Sequence, residues 1–410
     1  MMKLLLFSLQ RFDTLKVINL SDSKFLSKTP DFSRVPNLER LVLSGCVSLY
    51  QLHQSLGSLK HLIQLDLKDC KQLSNIPFNI SLESLNILVL SGCSSLKNFP
   101  KISGNMNNLL ELHLDGTSIK VLHQSIGHLT GLMILNLKNC TNLVKLPSTI
   151  GCLTSLKILN LHGCSKIDSI PESLGNISCL EKLDVTSTCI TQAPLSLQLL
   201  TNLEILNCQG LSRKFIHSLF PCWNLSRKFS NSQGLKLTNC FSFGCSLRVL
   251  NLSDCNLWDG DLPKDLRSLS SLQILHLNQN HFTILPESIS HLVNLRDLFL
   301  VECSNLRSLP KLPLSVRDVE ARDCVSLEEY YNQEKHIPSS EMGITFIRCP
   351  ISTEPAGSYK IDKLGLSAIH LRTMSQRYIE VCIFFLMILE FSFNLVSFFI
   401  YFSIRVLSVD

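Results

Sequence analysis

Charge is scarce in this chain. Only 17% of its 410 residues are Asp, Glu, Lys or Arg, against roughly 25% in an average soluble domain. The 38 basic and 33 acidic residues leave a net charge of +5. Disorder needs low hydrophobicity and high net charge, and at 45% hydrophobic the chain has neither. A dedicated nucleic-acid binder concentrates far more basic charge, so no nucleic-acid partner is expected. Gly 17 and Pro 15 are too few for collagen-like or low-complexity sequence, and 17 cysteines are too few for a disulfide scaffold. Catalytic signatures are missing too. No Gly is followed by Lys, which removes the phosphate-binding P-loop, and there is no Gly-x-Gly-x-x-Gly, Gly-x-Ser-x-Gly, His-Glu-x-x-His or Cys-x-x-Cys. These absences nominate no catalytic residue, no cofactor and no metal ligand, and the chain is not expected to be an enzyme.

What is present is a repeat. Leu-x-x-Leu-x-Leu, with Val185 or Cys208 in the last place of two copies, begins at Leu38, Leu62, Leu85, Leu109, Leu132, Leu156, Leu180 and Leu203, and again at Leu247, Leu272 and Leu295. Degenerate copies start at Leu15 and Val316, giving thirteen units. Most starts are 23 or 24 residues apart, inside the ~20–29 of leucine-rich repeats. Each unit predicts one short strand with its leucines inward and the alternate residues outward. The return path, such as Leu146-Pro147-Ser148-Thr149-Ile150-Gly151, predicts a short helix or 3₁₀ turn after the proline. One unit buries too little apolar surface to offset its own ordering, so units must stack. The fold class is therefore α/β: a leucine-rich-repeat solenoid or horseshoe, with parallel strands on the concave face and short helices or 3₁₀ turns on the convex face.

Cys46, Cys70, Cys93, Cys140, Cys164, Cys255, Cys303 and Cys324 share the ninth position of their units. That position turns inward after the strand and needs a small side chain. No two of these cysteines are closer than one repeat, which argues against zinc. Buried, reduced thiols suit a cytoplasmic or nuclear compartment. A second dialect drops one residue, as in Thr117-Ser118-Ile119 to Leu122 and Asn280-His281-Phe282 to Leu285.

The outward strand positions form a stripe suited to a protein ligand. Its members are Gln64, Asp66 and Lys68, then Glu111, His113 and Asp115, then Asn136 and Lys138, Lys182 and Asp184, His276 and Asn278. Asp297, Phe299 and Val301 add apolar character at the C-terminal end. His113, His162 and His276 are too far apart to share a metal and are expected as solvated concave residues.

The remaining segments divide as follows. Residues 1–14 read as a frayed partial repeat, too weak for a signal peptide, so the chain looks cut from something longer. The solenoid spans 15–330, with an irregular basic insertion at 211–245 that duplicates Leu-Ser-Arg-Lys-Phe at 211–215 and 225–229. The insertion reads either as an anion- or partner-binding loop or as a tolerated surface loop. Residues 331–380 leave the repeat, with an amphipathic helix expected over 361–380. In the tail 381–410, nineteen of the 24 residues over 381–404 are apolar or Cys, with Glu390 near the middle. That tail admits three readings: a translated intron, a single membrane span or a buried helix. Membrane contact is expected only through 381–404.

Several segments resemble a known family. They are Lys28-Thr29-Pro30-Asp31-Phe32-Ser33 leading to Pro36-Asn37-Leu38-Glu39-Arg40-Leu41, Leu90-Ser91-Gly92-Cys93-Ser94-Ser95-Leu96, and Leu112-His113-Leu114-Asp115-Gly116-Thr117-Ser118-Ile119. Leu250-Asn251-Leu252-Ser253-Asp254-Cys255 and Leu306-Arg307-Ser308-Leu309-Pro310 leading to Asp323-Cys324-Val325-Ser326-Leu327-Glu328 complete the set. Together they are similar to the repeat portion of plant TIR–nucleotide-binding–leucine-rich-repeat disease resistance proteins. The resemblance implies an intracellular immune receptor whose repeats, with a jelly-roll-like domain after them, contact a pathogen effector or host partner. Residues 341–380 look like the start of that domain. The family's NAD and ATP chemistry resides in TIR and nucleotide-binding domains that these residues do not contain, so no cofactor is carried over. Competing readings are a membrane-anchored receptor fragment and an adaptor in a protein complex.

Overall fold

The computed structural model describes residues 11–76, 82–103, 106–220, 245–262, 266–330, 343–347 and 349. The segments 361–380 and 381–404 lie outside the described residues. The strands are β1 (Val17–Asn19), β2 (Arg40–Val42), β3 (Gln64–Asp66), β4 (Ile87–Val89), β5 (Glu111–His113), β6 (Ile134–Asn136), β7 (Ile158–Asn160) and β8 (Lys182–Asp184). They continue with β9 (Ile205–Asn207), β10 (Val249–Asn251), β11 (Ile274–His276), β12 (Asp297–Phe299), β13 (Ser308–Leu309), β14 (Asp318–Arg322), β15 (Glu329–Tyr330) and β16 (Gly343–Ile347). All but β13 and β15 form one parallel sheet of 14 strands, ordered as in the chain. β13 and β15 pair with each other. The thirteen strands expected from the leucine spacing are all in the large sheet, and the solenoid fold follows directly.

Register is set by the inward leucines. Leu41 faces Leu65, which faces Leu88, and so on along the sheet. Residues at the first, fourth and sixth positions of each coil are buried almost without exception. Short 3₁₀ turns on the return path, such as Gln124–His128, Ser148–Cys152 and Glu172–Asn176, close the coils on the other side.

Most strands are only three residues long because the eighth position bends the chain. Thirteen successive coils place that residue in the left-handed region, at φ from +54° to +76°. It is Gly at 45, 92, 116, 163 and 210, and Asp, Asn, Ser, Gln or Glu elsewhere. Glycine adopts this conformation without steric cost, and Asn and Asp tolerate it best among the others. The bend preserves the ladder: Gly45 N donates to Lys68 O at 2.8 Å and Asp69 N to Ser91 O at 2.7 Å. Neighbouring coils also fit each other here. A β-carbon on Gly45 would overlap the Asp22 carboxylate, on Gly92 the Asp69 carboxylate, and on Gly163 the Asn139 amide oxygen.

The ninth position does more than fit a small side chain. Each ladder cysteine donates its S–H to the sixth-position carbonyl of the preceding coil: Cys46 to Leu20 at 3.1 Å, Cys93 to Leu67 at 3.2 Å, Cys164 to Leu137 at 3.0 Å and Cys324 to Leu300 at 2.9 Å. Asn280 does the same job more completely. Its Nδ2 donates to Leu252 O and Leu277 O, each at 2.9 Å, and its Oδ1 accepts from Cys255 N at 3.2 Å and Leu257 N at 3.1 Å. Thr188 Oγ1 donates to Val185 O at 2.8 Å. Most coils thus fill the position with a compact hydrogen-bond donor, because a buried carbonyl without one is costly; the β9 coil, with Leu211 there, is an exception. Burial pushes the thiols of Cys93 and Cys255 up to about 12 and those of Cys70 and Cys208 upward as well.

Two details go beyond the leucine count. β16, within the segment placed after the repeats, pairs with β14 in the same sheet, and Cys349 Sγ donates to Ala321 O at 3.1 Å as a further rung. The insertion leaves the sheet continuous, because β9 pairs directly with β10. Its first duplicate becomes structural: Ser212 caps helix α1 (Arg213–Leu219), and Phe215 is fully buried. Arg213 and His217 both reach Asp261, at 3.4 and 3.0 Å. The second duplicate, 225–229, lies outside the described residues.

Candidate functional site

The concave face carries three rows, the third, fifth and seventh positions of each coil. Every residue nominated from the sequence lies in one of them. Gln64, Glu111, Lys182 and Asp297 are at the third. Asp66, His113, Asn136, Asp184, His276 and Phe299 are at the fifth. Lys68, Asp115, Lys138, Asn278 and Val301 are at the seventh.

The fifth row holds the strand ends. Its Asn and Asp side chains accept from the backbone N–H two residues on. Asp66 accepts from Lys68 N at 2.9 Å, Asn136 from Lys138 N at 3.1 Å, Asn160 from His162 N at 2.9 Å, Asp184 from Thr186 N at 2.9 Å and Asn251 from Ser253 N at 2.9 Å. Such local Asx bonds compete with water and are structural. Cross-strand bonds add to them: Ser91 Oγ and Asn136 Nδ2 both donate to Asp115 Oδ1, at 2.6 and 3.0 Å, and Asn207 Nδ2 to Asp184 Oδ2 at 3.2 Å. Asn278 Oδ1 accepts from Val301 N at 2.8 Å. Burial raises the Asp66 carboxyl above its ordinary value. Asp66, Asn136, Asp184 and Asn278 therefore support the frame as well as line the face.

Two histidines correct the sequence reading. His113 is 4% exposed and His276 is 8% exposed, so neither is solvated. Strands ~4.8 Å apart press neighbouring side chains together. His113 Nε2 lies 3.1 Å from Glu111 Oε2. The His276 ring stacks on Phe299, centroids 4.4 Å apart and 12° from parallel, and burial lowers its pKa to about 4. His162 is only half-buried.

Beside the polar stripe runs an apolar row that the sequence expectation leaves out. The third row reads Ile134, Ile158, Lys182, Ile205, Val249, Ile274, Asp297, and register makes Ile205, Val249 and Ile274 direct neighbours. All three are half-buried rather than sealed in. Phe299 and Val301 extend this apolar surface on the next strand. The signal was visible as Ile or Val just before the strand's central leucine, a position that points away from the core. Nearby, Thr186 Oγ1, Asn207 Oδ1 and Ser253 Oγ, on three successive coils, are buried without a hydrogen-bond partner.

Among the described residues no cluster of three or more His, Cys, Asp or Glu is arranged to hold a metal. No helix among them is long and apolar enough to cross a membrane.

Comparison with known proteins agrees with this geometry. Residues 71–222 match a family described as a leucine-rich repeat region, and 246–269 and 271–292 match the leucine-rich repeat itself. The TMV resistance protein N of Nicotiana glutinosa is 40% identical over 315 residues, 76% of this chain and 26% of that protein. The disease resistance-like protein DSC1 of Arabidopsis thaliana is 40% identical over 319 residues, 78% of this chain and 24% of that protein. The chain thus spans about a quarter of the length of these curated relatives. Among solved structures, the functional domain of InlJ from Listeria monocytogenes, which includes a cysteine ladder, superposes with a TM-score of 0.52 at 17% identity. The match covers 82% of this chain and 64% of that one, a likeness of fold.

Proposed function

Because the chain is a leucine-rich-repeat solenoid related over its repeats to the corresponding portion of N-like plant disease resistance proteins, we propose that it is the protein-recognition module of an intracellular plant immune receptor. The module binds rather than catalyses. Its ligand is a pathogen effector or a host partner protein, and it works in the cytoplasm or nucleus, where the described thiols stay reduced.

One observation supports this most: the half-buried patch of Ile205, Val249, Ile274, Phe299 and Val301, rimmed by Lys182 and Asp297. Apolar centres with charged rims are the usual anatomy of a protein interface. A rigid parallel sheet displays them without needing the backbone to reorganise on binding.

The test uses peptides selected from a random displayed library against the full chain. The Ile205→Glu/Val249→Glu variant should bind them at least tenfold more weakly by isothermal titration, with the melting temperature unchanged. Equal affinity for the variant would remove the concave patch as the binding surface.

A further inference from the structure

One side of the solenoid carries charge that is almost all positive. It lies between the left-handed turn and the convex 3₁₀ turns, at the tenth to fourteenth positions. Five consecutive coils, those of β3 to β7, each place a lysine there: Lys71, Lys97, Lys120, Lys145 and Lys166. All five are exposed. They share this strip of backbone, since Lys120 N donates to Lys97 O at 3.2 Å and Val121 bridges Lys145. The first coil adds Lys24 and Lys28, and the Lys28 ammonium sits 5.5 Å above the Tyr50 ring of the next coil. Asp168 is the one acidic residue at these positions from β3 to β7.

The opposite edge shows what a self-sufficient row looks like. At the second position, Lys16 pairs with Glu39 at 2.7 Å, Lys157 with Glu181 at 2.8 Å and Arg248 with Glu204 at 3.8 Å. By contrast Lys71, Lys97, Lys120 and Lys145 have no ion-pair partner among the described residues. A run of like charge repels itself, and nothing in the packing requires these residues to be lysine.

We propose that this lysine strip is a second protein-docking surface, and that its occupant is an acidic α-helix of a partner protein lying along the solenoid axis. The two pitches nearly match. Coils recur every ~4.8 Å, as parallel strands do. A helix presents one side chain of a given face per turn, every ~5.4 Å. Five lysines span roughly 19 Å, the length of about 13 helical residues. Carboxylates at i, i+4, i+7 and i+11 therefore meet successive lysines with little drift. A nucleic acid is the less favoured occupant. The strip uses lysine rather than the forked arginine that grips phosphate. Its aromatics, Phe25 at 99% exposed and Tyr50, are confined to the first two coils rather than spread as a stacking platform.

The experiment uses the full chain and three fluorescent probes at 50 and 150 mM salt. The first is an alanine-based 21-residue peptide with Glu at i, i+4, i+7 and i+11. The second is the same composition broken by proline, and the third is a short DNA duplex. The helical peptide should bind, more weakly at the higher salt. The Lys97→Glu/Lys120→Glu/Lys145→Glu variant should bind it at least tenfold more weakly. A control with the same charge change off the strip, Lys60→Glu/Arg296→Glu/Lys311→Glu, should stay within twofold. The proline-broken peptide should bind at least fivefold more weakly than the helical one. Equal binding by the strip variant, equal binding of the broken peptide, or tighter binding of the duplex would each overturn the proposal. Thermal melting of both variants separates loss of binding from loss of fold.

Discussion

The coils from β2 to β7 and those from β8 to β14 share one interior and carry different surfaces. Both halves bury leucine at the first, fourth and sixth positions and bend left-handed at the eighth. On the outside they part. The N-terminal half has an unpaired lysine strip on its flank and a concave face knit by polar bonds around Asp115 and Asn136. The C-terminal half has an apolar concave patch, a helix in place of a 3₁₀ turn, and a flank where Asp261 is already engaged by Arg213 and His217. The lesson is that backbone closure uses a fixed few positions per coil, and the rest are free to differ from coil to coil.

The sharpest way to probe that shared interior is to remove its donor in each half. Asn280→Ala should lose about 4 kcal/mol, because it leaves two buried carbonyls and two buried N–H groups short of a partner. Cys140→Ala, which removes the S–H bond to Leu114 O and a weak 3.4 Å contact with Thr117 Oγ1, should lose only about 1–2 kcal/mol. Denaturant unfolding of both variants measures the gap. Equal losses would mean the ninth position is filled for size alone.

The eighth position gives the next effect. Gly163→Ala meets both a positive φ of +72° and the Asn139 amide oxygen, and should lose roughly 3 kcal/mol. Asn139→Gly, which clears the contact and keeps the left-handed conformation available, should recover about half of that in the double variant. A double-mutant cycle reads the coupling directly. Purely additive losses would show that the two coils do not interlock there.

The smallest effect belongs to the C-terminal half alone. His276 is neutral and buried in the fold, with its pKa lowered to about 4, and titrates near 6.5 when unfolded. Below pH 6.5 the unfolded chain takes up the proton first, so stability falls as pH drops through the window from about 6.5 to 4. Between pH 7 and 5 this amounts to roughly 2 kcal/mol. His276→Gln should flatten that part of the stability profile. An unchanged slope would place the pH dependence elsewhere.

Much of the fold was legible in the sequence because its main determinant is local. An inward leucine needs no knowledge of distant residues, so counting Leu-x-x-Leu-x-Leu located thirteen strands. What the count missed depended on neighbours a coil away. The donor preference at the ninth position is hidden because Cys and Asn look unrelated until the carbonyl of the previous coil is seen. The left-handed eighth position was hidden by its mixed occupants, from Gly45 to Glu302. His276 reads as solvated because the ring that covers it, Phe299, lies on the next strand. Cys349 lay in sequence with no leucine frame around it. On the concave face, looking for charge and amide groups found Asp66 and Asn136, which the strand ends also use, and passed over Ile205 and Val249.

The alternation at the left-handed turn has a genetic consequence. From Asp22 to Gly45, Asp69 and Gly92, a carboxylate in one coil covers the bare α-carbon of the next. Copying or losing two coils together keeps that alternation in phase. Losing the single coil that carries Gly45 would instead set Asp22 beside Asp69, two acidic side chains in register, as Glu302 and Asp323 stand on the coils of β12 and β14. In this stretch of the gene, the unit whose gain or loss keeps each glycine covered by a carboxylate is the pair of repeats, about 47 codons.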